Sequence, residues 1–238
     1  MSHEIELYDQ GRAALAAGDV RPEQPLQENG KRWGAAAVLR PKGPVLRRLA
    51  ELSDSIGRAA GSGHWAHRIS GLHFTLRSLE HFRSSIPDND PRRTAYAQAL
   101  DAAAEGLPPT QVEMRGVCPH PAGVILVGYP VDDTLVDLQG RFAAELRARD
   151  LAGFESWIRN RWYLSLIHFA GPLVDVDAVI AWCDERRNML VGVVDLDVAE
   201  IARWHHFGGG VRLKALHSAP LSTTSCSMAS RTSRNASG

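Results

Sequence analysis

Residues 72–79, LHFTLRSL, carry the reading that decides the fold of this chain. Leu72, Phe74 and Leu76 alternate with His73, Thr75 and Arg77, the period of two expected of a strand with one face in a core and a polar face opposite. Residues 161–169, RWYLSLIHF, read the same way, with Tyr163 and Ser165 on the polar face. Laying Trp33 over Ala122 brings LHFTLR onto WYLSLI to within about one residue, so strand, helix and strand recur in the same order in two halves.

Working outward from these two strands, the first half reads as a strand at Trp33–Arg40 and a helix at Pro44–Ala60. In that helix Val45, Leu49, Leu52 and Ile56 fall at helical spacing and Pro44 sits in the first turn. A helix at Pro91–Gly106 and a strand at Gln111–Val117 follow the LHFTLRSL strand. In the second half, strands at Gly123–Tyr129 and Arg161–Phe169 bracket a helix at Asp132–Leu151. A helix at Val174–Asn188, opened by Asp175 or Asp177, then leads to strands at Val191–Val198 and Val211–Leu216. Trp204–Gly210, WHHFGGG, reads as a flexible connection, since its glycines lack the spacing of a phosphate loop.

The expectation is an α+β fold of two pseudo-twofold-related β-α-β lobes, with mainly antiparallel sheets around a central cleft. The lobes cover residues 33–120 and 121–217; a short helix (5–17) and loop over 1–32 precede them. Residues 218–238, rich in Ser, Thr, Ala and Asn, read as a disordered tail.

Composition narrows the partners. In 238 residues, 27 Lys and Arg balance 27 Asp and Glu, which excludes bulk charge as a reason for nucleic-acid or membrane binding. An anion must therefore be caught by a local site. With lysine only at positions 31, 42 and 214, arginine is the available cation, and its planar fork suits phosphate or carboxylate. Cys118, Cys183 and Cys226 show neither CxxC spacing nor an even number, so a reducing cytoplasm fits and a disulfide framework does not. No stretch approaches the roughly 20 apolar residues of a membrane span, and no protein partner is evident.

Residues i and i+2 of a strand share a face, so His73 stands with Thr75, and Tyr163 with Ser165: in each pair a proton-handling group beside a hydroxyl. Facing one another across a cleft, the pairs suit a phosphodiester, one ring serving the attacking oxygen, the other the leaving oxygen, and the hydroxyls the nonbridging oxygens. Arg77 continues the polar face of the first pair, Arg161 precedes the second, and His67 lies in the loop that leads to His73; all three are candidates to bind substrate. His168 joins them only if a β-bulge turns it, because strict alternation places it with Trp162, Leu164 and Leu166 on the apolar face. Although the segment around His64, His67 and His81 is histidine-rich, no carboxylate or thiolate stands at ligand spacing nearby, so neither a metal nor a cofactor is expected. For Trp65, Trp157 and Trp162, packing is favoured over stacking on a base.

On the HFTL motif and its counterpart YLSL, the chain resembles the 2H phosphoesterase superfamily, which includes bacterial 2′-5′ RNA ligase-like proteins and cyclic nucleotide phosphodiesterases. Those proteins are bilobal, with one His-x-Thr/Ser motif per lobe lining a groove. Here Tyr163 stands where the second histidine belongs. The resemblance implies hydrolysis of a cyclic or 2′-5′ phosphodiester of a nucleotide or RNA end, with His73 as general base or acid. Tyr163, with an ordinary pKa of about 10, would be the proton donor. Two alternatives stay open: a lapsed site that still binds a nucleotide or other phosphorylated ligand, and a scaffold recruited to a biosynthetic reaction.

Overall fold

The computed structural model describes residues 2–223 apart from Pro25, Gly153, Ser156, Gly208 and Gly209. Helix α1 (Ser2–Ala16) precedes strand β1 (Ala36–Leu39), helix α2 (Leu46–Ala60) and strands β2 (Trp65–Ala66) and β3 (Phe74–Ser78). Helix α3 (Pro91–Ala104), strands β4 (Thr110–His120) and β5 (Gly123–Pro130), helix α4 (Thr134–Ala148) and strand β6 (Trp162–His168) follow. The chain continues through helix α5 (Val176–Asp184) and strands β7 (Leu190–Leu196), β8 (Val198–Phe207) and β9 (Gly210–Pro220).

Local chemistry explains most of these boundaries. Helix α3 starts where Asp90 accepts a hydrogen bond from the Arg93 amide at 3.0 Å with Pro91 in the first turn, and α5 where Asp175 accepts from the Ala178 amide at 2.8 Å. Along α2, Leu49, Leu52, Ile56 and Ala60 form the buried stripe. Strand β1 is shorter than the alternation predicts. Trp33 has φ +65°, which turns the chain, and Gly34 passes so close to β3's continuation that a Cβ there would lie 1.7 Å from the Glu80 carbonyl oxygen.

Two antiparallel sheets result, one in the order β3-β1-β8-β9 and one in the order β2-β6-β5-β4-β7. They do not follow the contiguous halves read from the sequence. Strands β8 and β9 complete the sheet begun by β1 and β3, β2 crosses to pair with β6, and residues 120 and 121 fall in the β4–β5 hairpin. The WHHF segment is strand and not a loose connection, with Trp204 opposite Leu213 and His205 opposite Arg212. The region read as tail is structured over its first residues: β9 runs to Pro220, and Leu221 is buried, its amide bonded to the Asp197 carbonyl at 2.8 Å. The rest of the expected tail, 224–238, lies outside the described residues.

The repeat reaches further than the motifs. In the β1–β3 pairing Thr75 opposes Val38 and Arg77 opposes Ala37, so Leu76 is an extra residue; in the β5–β6 pairing Ser165 opposes Ile125 and Ile167 opposes Val124, so Leu166 is extra. Each strand thus bulges one residue after its hydroxyl. On the first sheet, Ala37, Leu39, Phe74 and Leu76 face the main core, which the helices share, while Ala36, Val38, Trp204, Val211 and Leu213 pack in a second cluster around Trp33 and Trp65.

Candidate active site

The bulge in β6 builds the site. An extra residue reverses the alternation beyond it, so the core face carries Leu164, Leu166 and Ile167, and His168 rejoins the face of Tyr163 and Ser165. The carbonyl freed at Leu166 is satisfied from two sides, by Ser53 Oγ of α2 at 2.5 Å and by the His67 amide at 2.8 Å. That second bond brings the His67 ring onto His168: His67 Nε2 lies 2.7 Å from His168 Nδ1.

Tyr163, Ser165 and His168 line a cavity of about 500 Å³ floored by Ile125, Val127 and Tyr129 of β5. Arg32 from the N-terminal segment, His120 at the end of β4, and Asn160 and Arg161 before β6 complete its polar wall. No carboxylate is among the described residues that line it. Arg161 is exposed and makes no hydrogen bond or ion pair with a described residue, whereas Arg32 is paired with the buried Glu23. The Ala122 amide donates to His120 Nδ1 at 3.1 Å; partial desolvation, with Arg32 and Arg21 nearby, holds this imidazole below its usual value and so neutral. Burial, and then His67 beside it, hold His168 well below the ordinary imidazole range. The arrangement brings two guanidinium groups, two neutral imidazoles and the hydroxyls of Tyr163 and Ser165 to one concave surface, a donor set suited to an anion of nucleotide size.

The first motif is placed differently. His73 is 8% exposed; its Nδ1–H donates to the Gly71 carbonyl at 2.8 Å, which leaves the lone pair on Nε2. The ring packs edge-on against Trp204 at 4.8 Å between centroids, Trp204 against Trp33 at 4.7 Å, and Trp33 against His168 at 4.9 Å. Burial lowers its pKa to about 4, and that of His67, which is buried too and next to His73, to about 3. Neither His73 nor Thr75 is among the described residues that line the cavity of Tyr163 and Ser165; the first pair stands on the first sheet, with His67 between the His73 and His168 rings. Trp33, swung inward by its left-handed backbone, packs with Trp65 and Trp204 over that face of the first sheet.

The placement of Arg77 is corrected. The bulge at Leu76 takes it off the face of Thr75, and its guanidinium donates to the Glu155 carbonyl. The Glu155 carboxylate, almost wholly buried, accepts from the Ser78 amide at 2.8 Å and from Arg159 of its own segment at 2.6 Å, so Arg77 and Ser78 of β3 both anchor the segment between α4 and β6. His67 touches the site through His168 without lining the cavity. Arg32 and His120 were missed by sequence reasoning. Arg32 was set aside with the N-terminal loop; His120 was legible only as the residue before the PAG turn that starts β5. Among the described residues no group of three His, Cys, Asp or Glu side chains is placed to hold a metal ion, and no helix is long and apolar enough to cross a membrane.

No family model and no curated protein matches the chain in sequence. Solved structures do match. TT0787 of Thermus thermophilus superimposes with a TM-score of 0.56 at 14% identity, over 79% of this chain and 97% of that one. LigT of Escherichia coli complexed with 3′-AMP matches with a TM-score of 0.54 at 13% identity (79% and 98% of the two chains), and LigT complexed with phosphate with 0.53 at 12% (79% and 97%). The chain has the fold of TT0787 and LigT. The bilobal α+β architecture read from the two strands is therefore correct, and residues of the N-terminal segment and of β6 shape the cavity within it.

Proposed function

We propose that the chain binds a small phosphorylated ligand of the nucleotide class in the cavity on the β5–β6 face. The phosphate would be held by Arg161 and Arg32, the His168 imidazole and the hydroxyls of Tyr163 and Ser165. One observation carries the reading: the bulge at Leu166 gathers an imidazole, a phenol and a hydroxyl on one face of a cavity whose described lining has arginine and no carboxylate. LigT, which shares the fold, has been crystallised with phosphate and with 3′-AMP. Thermal stabilisation by inorganic phosphate and by 3′-AMP tests the proposal. The native chain is expected to be stabilised, and Arg161→Ala to bind about tenfold more weakly, the effect of losing one charge-assisted bond. No shift with either compound would refute it.

A second reading, hydrolysis of a cyclic or 2′-5′ phosphodiester, is favoured by the phenol and imidazole on one face and by the fold. Assays on 2′,3′-cyclic nucleotides and 2′-5′ dinucleotides separate the two. Turnover lost in His168→Ala and kept in His73→Ala places chemistry in this cavity. Turnover lost in His73→Ala alone returns it to the first motif, and binding without turnover leaves a binding module.

A further inference from the structure

We propose that His67 is a positioning residue that fixes the tautomer of His168, so that His168 presents an Nε2–H donor to the cavity. The inference deepens the phosphate-binding reading and rests on it only for the identity of the ligand.

The two rings share a single proton in the contact between His67 Nε2 and His168 Nδ1, 2.7 Å apart. Burial keeps both rings neutral, so each carries one N–H in all. Two arrangements satisfy the contact. If His168 Nδ1–H donates, the His67 proton must sit on its own Nδ1. That atom is fully buried and has no partner among the described residues; it faces the α-carbon of Gly71, where even an added Cβ would stand only 2.9 Å away. The cost is an orphaned donor in the interior. If His67 Nε2–H donates instead, the bare Nδ1 lone pair is what faces Gly71, and an unfilled acceptor is tolerated better than an unfilled donor. His168 then keeps its proton on Nε2, the nitrogen away from His67, on a residue that lines the cavity.

The neighbourhood holds His67 to this task. Its amide is tied to Leu166 at 2.8 Å. Its ring stands 4.9 Å from that of His168 and 6.5 Å from that of His73, whose own Nδ1–H is committed to Gly71. A neutral imidazole with Nε2–H is a donor to a phosphoryl oxygen and a poor base, which gives His168 the part of an anion ligand and leaves proton abstraction to other groups.

Long-range ¹H–¹⁵N spectra of the histidine rings, recorded on the full chain at neutral pH without ligand, test the assignment. The His168 ring is expected to show a protonated Nε2 and a bare Nδ1; the reverse pattern overturns the proposal. In His67→Leu the two His168 tautomers are expected to interchange, while His67→Gln, whose amide keeps a donor near the same place, is expected to retain the native pattern. An unchanged His168 spectrum in His67→Leu overturns the positioning role. Titration with inorganic phosphate adds a functional readout, with about tenfold weaker binding in His67→Leu and near-native binding in His67→Gln. Because the tautomer is read before any ligand is added, a native chain that fails to bind phosphate refutes the ligand reading and leaves the His67–His168 assignment standing.

Discussion

Acidification from pH 8 to pH 5 should destabilise the fold through the histidine cluster alone, before carboxylates titrate. Burial is the first cause of the low values at His67, about 3, and at His73, about 4. The direction follows from linkage. In the unfolded chain these imidazoles return to about 6.5 and take up protons that the folded state refuses, so stability is complete above pH 6.5 and falls as the pH drops toward the folded values. Each imidazole loses about 1.4 kcal/mol per pH unit once the unfolded chain is protonated, which amounts to about 2 kcal/mol by pH 5 and about 4 kcal/mol for the two. A domain of ordinary stability has about 5–15 kcal/mol in total. Urea unfolding at intervals across this range measures the loss directly. His73→Asn keeps a donor near the Gly71 carbonyl and His67→Gln keeps one near His168, yet neither variant side chain titrates. Each should flatten the pH dependence by about 2 kcal/mol relative to the native chain. If both variants retain the native slope, the cluster is not what makes the fold acid-sensitive and the reasoning fails.

Gly71→Ala should be costly for a packing reason, since its Cβ would come within 2.9 Å of the buried His67 Nδ1; a loss of about 1–3 kcal/mol in denaturant unfolding is expected. Glu155→Gln should lose about 3 kcal/mol, because it leaves Arg159 without its carboxylate partner in the interior, and the α4–β6 segment should become the first site of limited proteolysis. Trp33→Ala should lose about 3–5 kcal/mol and raise the rate at which His73 reacts with an imidazole-modifying reagent, as Trp33 packs on the Trp204 ring that covers His73. An unaltered modification rate would show that Trp33 does not guard that ring.

Period-two alternation made β3 and β6 readable, and the helical stripe of Leu49, Leu52 and Ile56 made α2 readable, because each pattern reflects one element meeting one core. Their duplication was enough to give the fold. What alternation cannot register is a residue that drops out of step. The bulge at Leu166 depends on Ser53 and His67, 113 and 99 positions earlier in the chain and joined to it by hydrogen bonds to one carbonyl. Local sequence therefore left His168 on the apolar face. The same mechanism hid the fate of Arg77, one residue past the bulge at Leu76. The covering of His73 was illegible for another reason. It depends on a left-handed conformation at Trp33, a residue type that seldom adopts it, and on a strand at Trp204 that histidines and glycines made look like a loop.

The two bulges, placed alike in the two halves, show how one fold can carry different site chemistry without a change of topology. A strand that stays in register through its motif and slips one residue afterwards keeps the hydroxyl of Thr75 or Ser165 on its original face, while whatever lies beyond is turned over. In β3 the residue turned toward the core side is Arg77, which the Glu155 segment absorbs. In β6 the residue brought to the cavity is His168, whose imidazole stands on the face where the motif itself supplies a phenol. The phenol at position 163 and the slip at position 166 are then one arrangement: Tyr163 stands beside Ser165, and the bulge brings an imidazole to the same wall five residues on. Removing the extra residue, by deleting Leu166, should turn His168 into the core and abolish phosphate binding even in a chain that still folds. A folded deletion variant that binds phosphate as the native chain does would separate the cavity's chemistry from the bulge.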